Sequence, residues 1–376
     1  MRHPFRHLVI ALVVATILPA ARAGDLILKK DGSWHISSPA GTTVTKADLD
    51  ASKVLVVGED YDFTYYEITL TRGNRQRLNT ADIAEIVRGE TDANYSAALD
   101  ALASGDAEAA LERLDQTIRS PRAAWVPQYA MYARIEALRI IGAADRALAA
   151  IDELEAKFKK TKFVRDCARL RGQILLDDKG DIEAAKKALA QIASVPGATD
   201  VDKAAAEYWQ IYCDQYVGQK SSDKAALETA RRRYADLLER IDRKKGYEEV
   251  AARARYGVGS CLNVLGKYDE AIAYFEGIVA SSKDPTVLPG AYIGLGDAYV
   301  KTEKYVDARR AYLRVVVLWP ESSSFHARAL VQAGNCFWLV RDKDFKQNAA
   351  RELRECINRY PTSSEAAEAR KLLAKL

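Results

Sequence analysis

The sequence predicts a mostly α-helical chain. An α-solenoid of about seven helical pairs spans residues 90–376, after a leader at 1–23 and a small all-β module at 24–89. Three observations carry this. A phrase running from Tyr256 to Phe275 recurs in altered form from Tyr292 to Pro320, each copy reading as two short helices joined by a tight turn. Turn glycines fall at Gly105, Gly142, Gly180 and Gly266 and are continued by Glu303 and Arg341, where the glycine is lost. Alternation of period two, the mark of a half-buried strand, is confined to the region before residue 90.

Residues 1–7 are basic, 8–18 are apolar and 19–23 read Pro-Ala-Ala-Arg-Ala. A basic start, a short apolar centre and a small-x-small ending form a secretory signal pattern, with cleavage expected after Ala23. The apolar run is too short for a stable membrane anchor, and no later stretch is long and apolar enough to cross a bilayer. The first cysteine is Cys167, so no lipid-attachment cysteine stands at Gly24. The expectation is an exported protein, periplasmic or secreted, with no transmembrane or lipid anchor. Cleavage removes Arg2, Arg6 and Arg22 and no acid, leaving 53 Lys+Arg against 52 Asp+Glu. Near-neutrality with mixed signs argues against a general nucleic-acid binder, which needs a basic footprint.

In the β region, Asp25–Lys30 precedes a turn at Asp31-Gly32, followed by Ser33–Ser37, Lys53–Val57 and Phe63–Thr71. Tyr66, Ile68 and Leu70 alternate with Glu67, Thr69 and Thr71, as a one-sided strand requires. A last short strand is expected near Leu78, and Thr80–Ile86 reads as one helical turn capping the sheet.

From about Asp92 the chain is alanine-rich, and its turn residues are spaced 37 or 38 apart. One step of 86, from Gly180 to Gly266, holds two units, of which the stretch around Tyr208–Arg240 is irregular. After each turn a small residue lets the paired helices approach: Ala110, Ala147, Ala185, Ala271, Ala308 and Ala349. Four residues later a bulky one fills the space between units: Leu114, Ile151, Leu189, Phe275, Tyr312 and Leu353. A spacing of four keeps both on one helical face. A helical pair is too small to bury its apolar face alone, so neighbours must stack. The chain closes on a capping helix with Ser363 as its N-cap.

Five cysteines, Cys167, Cys213, Cys261, Cys336 and Cys356, sit in apolar helical contexts without metal-ligand spacing. They read as small buried residues, with a bridge between Cys336 and Cys356 as the alternative. The mature histidines, His35 and His326, are far apart, and His326 reads as a surface residue at a helix start. No phosphate loop, HExxH or EF-hand loop is present. Asp48, Asp50 and the Glu59–Asp62 stretch are acidic, without a calcium-loop signature. The expectation is no enzyme, no cofactor and no metal.

Leu295-Gly296-Asp297-Ala298-Tyr299, Tyr305 with Ala308, Tyr312 and Pro320 closely resemble the tetratricopeptide repeat pattern. The tail phrase Arg359-Tyr360-Pro361 through Ala369, together with the leader, resembles bacterial envelope members, including outer-membrane assembly and Tol–Pal-associated types. The chain departs from these in lacking the lipid cysteine and in carrying β structure where the Tol-associated type has a coiled coil. The β region resembles SH3-like or Sm-like modules. The resemblance implies a scaffold whose first helices line a concave binding face. Projected onto this chain, that face takes Tyr208, Tyr212, Tyr216, Arg253, Tyr256, Asn263, Asp297, Val300, Arg328, Asn335 and Trp338. Tyr, Trp and Arg dominate binding energy at interfaces, so a protein or peptide partner is expected. Tyr256 and Ser260 stand where chaperone-binding members have clamp residues, so that activity is not implied. Two further readings remain open: an edge-docking component of an envelope complex, and a cell-wall or polysaccharide-binding accessory.

Overall fold

The computed structural model describes residues 92–376, except 123, 124, 160, 162, 196, 283–286, 321, 322 and 362, together with six short strands before them. The expected leader and the acidic pair Asp48 and Asp50 lie outside the described residues.

Fifteen helices follow the strands among the described residues: seven antiparallel pairs and a closing helix. The pairs are α1 (Ala93–Ala103) with α2 (Ala107–Arg119), α3 (Val126–Ile140) with α4 (Ala144–Lys157), and α5 (Val164–Asp177) with α6 (Ile182–Ala190). Then come α7 (Asp200–Ser221) with α8 (Lys224–Ile241), and α9 (Glu248–Val264) with α10 (Tyr268–Ser281). The array ends with α11 (Leu288–Lys301) and α12 (Tyr305–Leu318), α13 (Ser323–Val340) and α14 (Phe345–Arg359), and α15 (Ser364–Leu373). Local chemistry fixes the starts. Asp92, Asp106, Asp181 and Asp223 accept backbone N–H bonds at the first turns of α1, α2, α6 and α8. Thr199 and Asp202 form a reciprocal capping box on α7. Ser363 Oγ accepts from the Ala366 N–H at 3.0 Å, as the sequence predicts.

The turns define the register. Each pair is joined through a residue in the left-handed region: Gly105, Gly142, Gly180 and Gly266, and also Ser222, Glu303 and Arg341 with φ of 57°, 59° and 56°, the last turn adding Asp344 at 60°. Ser222 resolves the irregular unit: it is the missing turn, hidden because it is not glycine. Around Gly142, Gly180 and Gly266 a Cβ would meet nothing within 4 Å, so conformation alone favours glycine there. A side chain at positive φ costs about 1 kcal/mol. Glu303→Gly is therefore expected to stabilise the protein by about 1 kcal/mol, read as a raised thermal midpoint; an unchanged or lowered midpoint would count against a strained turn.

The described residues fall into two compact units, one of residues 171–193 and 198–376, the other of the described residues up to 170 with those of 194–197. In the second unit an edge-to-face series runs Tyr95–Trp125–Tyr129–Phe163, with Tyr132 stacked on Phe163 at 4.3 Å. Arg134 on α3 pairs with Asp115 of α2 and Glu153 of α4, tying three helices together.

The small and bulky positions read from sequence form the core. All six alanines are fully buried, and so are Leu114, Ile151, Leu189 and Phe275, with Tyr312 and Leu353 at 1 % exposure. The α7–α8 pair obeys the same rule with Ala230 and Tyr234. Leu189, Tyr234, Phe275, Tyr312 and Leu353 each have a glycine opposite on a first helix. A Cβ on Gly172 would stand 2.3 Å from Leu189 Cγ, and one on Gly257 would stand 2.7 Å from the Tyr234 ring.

The expected single SH3- or Sm-like module is overturned. The strands are β1 (Leu26–Lys29), β2 (Trp34–His35), β3 (Leu55–Glu59), β4 (Tyr65–Thr69), β5 (Arg75–Asn79) and β6 (Ile83–Val87). They form two separate three-stranded antiparallel sheets, β2-β1-β6 and β3-β4-β5. Closing a barrel needs one continuous staggered ladder, and among the described residues no ladder joins the two sheets. The expected helical turn at Thr80–Ile86 is likewise corrected, because Ile83–Val87 pairs with β1. Five residues cannot nucleate a helix economically, and Ile83, Ile86 and Val87 are β-branched and favour a strand.

Candidate protein-binding face

In the unit that ends at Leu376, α7, α9, α11 and α13 are the first helices of successive pairs, and each packs on the next. Their second helices cover one side, so each first helix keeps one incompletely buried stripe. On α9 that stripe holds Arg253, Tyr256, Ser260 and Asn263; on α13 it holds Arg328, Gln332, Asn335 and Trp338. The spacing of three or four is one helical face. Tyr212 and Tyr216 continue it on α7, and Asp297 and Val300 on α11.

Tyr208 does not lie on this stripe. It is 7 % exposed and packs against Trp209, Tyr212 and Tyr234, so it belongs to the core. The remaining expected residues are half-buried, but several are engaged internally. Asn263 Nδ2 donates to the Gly294 carbonyl at 2.9 Å, joining α9 to α11, while its buried Oδ1 accepts no hydrogen bond. Arg253 pairs with Glu249 at 2.6 Å and lies over the Trp209 ring. Tyr216 carries Lys220 over its ring, and Trp338 lies between Phe345 and Arg341. Asn335 makes no side-chain hydrogen bond to a described residue.

The strongest cluster joins three first helices. Arg328 Nη2 donates to Asp297 Oδ2 at 2.6 Å, and the Tyr312 hydroxyl donates to Asp297 Oδ1 at 2.8 Å. Burial pushes the Asp297 carboxyl up, against the opposing pull of Arg328 and the Tyr312 hydrogen bond. The Tyr256 hydroxyl lies within hydrogen-bonding reach of Arg328. Arg328 remains 44 % exposed, so it still presents donors outward.

One regularity escaped the sequence reading. Tyr95, Tyr132, Tyr212 and Tyr256 each stand ten residues before their turn residue, Gly105, Gly142, Ser222 and Gly266. Counting back from the turn glycines finds Tyr95, Tyr132 and Tyr256; Tyr212 needs Ser222 recognised as a turn.

All five cysteines are buried and none is disulfide-bonded, so the Cys336–Cys356 bridge is absent. Burial pushes Cys213 up to about 11 and Cys261, Cys336 and Cys356 up to about 12, which keeps these thiols in their unreactive protonated form. His326 is also a correction. It is 1 % exposed rather than on the surface, with Nδ1 3.0 Å from the Tyr360 hydroxyl. Tyr360 comes from the segment after α14, so this contact ties the tail down. An open cavity of about 840 Å³ lies between α6, α7 and α8. Its Lys186 and Arg233 both pair with Asp214, and Lys179 stands against Asp181 and Glu183, so the lining carries no net charge for a ligand to read. Among the described residues no group of three or more His, Cys, Asp or Glu could hold a metal ion, and no helix is long and apolar enough to cross a membrane.

Residues 222–285 match the family model described as tetratricopeptide repeat. That span holds the turn at Ser222 and helices α8 to α10, so this segment is similar to the tetratricopeptide repeat. No curated protein matches it. Among solved structures it is similar to a tetratricopeptide repeat protein from Parabacteroides merdae, at 17% identity and a TM-score of 0.43, over 75% of this chain and 96% of that one. It is also similar to a Rap protein complexed with competence and sporulation factor, at 17% identity and a TM-score of 0.41, over 75% and 82%. A third is the C-terminal part of a repeat-containing protein from Cytophaga hutchinsonii, at 12% identity and a TM-score of 0.35, over 73% and 98%. No enzyme family is indicated.

Proposed function

We propose that this chain is an exported, non-enzymatic scaffold that binds a protein or peptide on the first-helix face of α7, α9, α11 and α13. Tetratricopeptide repeats generally bind such partners, and the chemistry of this face suits one. The observation that carries the reading is the stripe of Tyr212, Tyr216, Arg328, Asn335 and Trp338, half-exposed and rich in the residue types that dominate interfaces. Asn335 adds an amide with its hydrogen-bonding capacity unspent by described residues. The leader pattern at 1–23 supports export to the periplasm, and the tail phrase supports work in envelope assembly or maintenance.

Tyr256 and Asn263 are poor probes of binding because both carry internal contacts. The sharper test replaces Tyr216, Asn335 and Trp338 with alanine and compares capture from an envelope extract with the parent, after matching helicity and thermal midpoint. A protein retained by the parent and lost by the triple variant supports the reading. Equal retention by both contradicts it and moves the search to the outer edges. Tryptophan fluorescence that responds to cell-wall fragments, with no protein retained, would favour polysaccharide instead.

A further inference from the structure

First helices two pairs apart are normally separated by the helix between them. Here α9 and α13 meet across α11. The Tyr256 ring of α9 and the Phe325 ring of α13 make edge-to-face contact, with centroids 5.8 Å apart and an interplanar angle of 71°. They meet over Gly290 of α11, where an added Cβ would stand 3.3 Å from both Phe325 Cζ and Tyr256 Cδ2. A few residues along, Arg328 of α13 holds Asp297 of α11 at 2.6 Å, and Tyr312 of α12 holds the other carboxylate oxygen. Ring bridge and ion pair thus bind three successive pairs at one place on the half-buried face.

We propose that the Tyr256–Phe325 bridge over Gly290 is a latch that sets the separation of α9 and α13, and so the width of the face between them. The bridge spans two steps of the array, so a small change at the contact is levered into a change of helix spacing that nearest-neighbour packing leaves free. Gly290 is the enabling residue: its missing side chain is the gap through which the rings touch. Arg328 and Asp297 hold α13 in register beside the rings. This deepens the binding reading without resting on it, because helix separation is measured with no partner present.

The test places spin labels on the exposed residues Val264 and Leu339, near the C-terminal ends of α9 and α13, as Val264→Cys and Leu339→Cys. The buried native thiols leave the two new ones as the reactive pair. The parent is expected to give one narrow distance distribution near roughly 20 Å, two interaxial steps. Phe325→Ala removes one half of the latch and is expected to broaden the distribution and move it outward by roughly 3 Å, a third of one interaxial step. Phe325→Leu keeps most of the buried volume while losing the ring contact, so it is the variant expected to fold if the alanine variant does not, and broadening is expected there too. Gly290→Leu adds a side chain between the rings in a residue type that favours helix, and an outward shift is expected. An unchanged distribution in Phe325→Leu and in whichever other variants keep the parent's helicity would overturn the latch, whatever happens to stability.

Discussion

Gly259→Ala is expected to destabilise the C-terminal array by about 3 kcal/mol, the upper end of what overpacking costs, read as a fall of roughly 10 °C in its thermal midpoint. Helix propensity alone predicts the opposite sign, since alanine in a helix interior is better than glycine by about 1 kcal/mol. Packing decides the outcome. Phe275 is fully buried, and a Cβ on Gly259 would stand 2.1 Å from Phe275 Cζ. A Cβ on Gly294, from the next pair, would stand 2.2 Å from the same atom. The ring is thus gripped by two glycines on successive first helices and has nowhere to retreat. Phe275→Ala should cost about 3–5 kcal/mol by leaving a cavity. The double variant Gly259→Ala with Phe275→Leu should cost clearly less than the sum of its parts, because the smaller side chain yields the space the new methyl needs. Additive costs would mean that the glycine and the ring are not the contact described.

Glu136→Gln is expected to stabilise the protein above pH 7. Burial pushes the Glu136 carboxyl from 4.5 up to about 7, against the opposing pull of Arg169 and the Tyr132 hydroxyl, which donates to Oε1 at 3.2 Å. Asp166, on the same helix as Arg169, adds repulsion in the same direction as burial. The folded chain therefore holds a proton that the unfolded chain has released. The stability from this group is fully present below about 4.5 and is lost as pH rises through about 7. At about 1.4 kcal/mol per pH unit, the loss over that window is on the order of 3 kcal/mol. The glutamine variant cannot ionise, so its stability should be flatter between pH 5 and 8, with the gain over the parent appearing only at the alkaline end. Parallel pH profiles for the two proteins would show that Glu136 titrates normally.

The array was legible because its rules are local. A turn residue, a small residue after it and a bulky one four further on repeat at nearly constant spacing, and each has a direct packing cause. The reading faltered where the turn used a residue other than glycine. Serine at 222 tolerates φ 57° without announcing it, so the unit around Tyr208–Arg240 read as irregular. The β region misled for a different reason. Short alternating segments reveal strands but not which strands pair, and pairing of β1 with β6 is a long-range choice that no local pattern encodes. Of the residues that the sequence register projected onto a binding face, Tyr212, Tyr216, Arg328, Asn335 and Trp338 are incompletely buried. It could not tell a residue that faces outward from one that reaches sideways. Tyr256 leans on Phe325 and Asn263 holds Gly294, contacts that depend on how successive pairs stack. His326 looked like a surface residue because it opens a helix; the returning tail buries it.

The most direct test of the binding claim is photo-crosslinking in the producing cell, with a benzophenone side chain placed singly at Tyr216, Asn335 or Trp338 and, as controls, at Arg310 and Val317 on the exposed side of α12. Crosslinks to the same protein from the first-helix positions, absent from the α12 positions, are the expected result. Crosslinks confined to α12, or shared equally by both sets, would contradict a partner seated on the first-helix face.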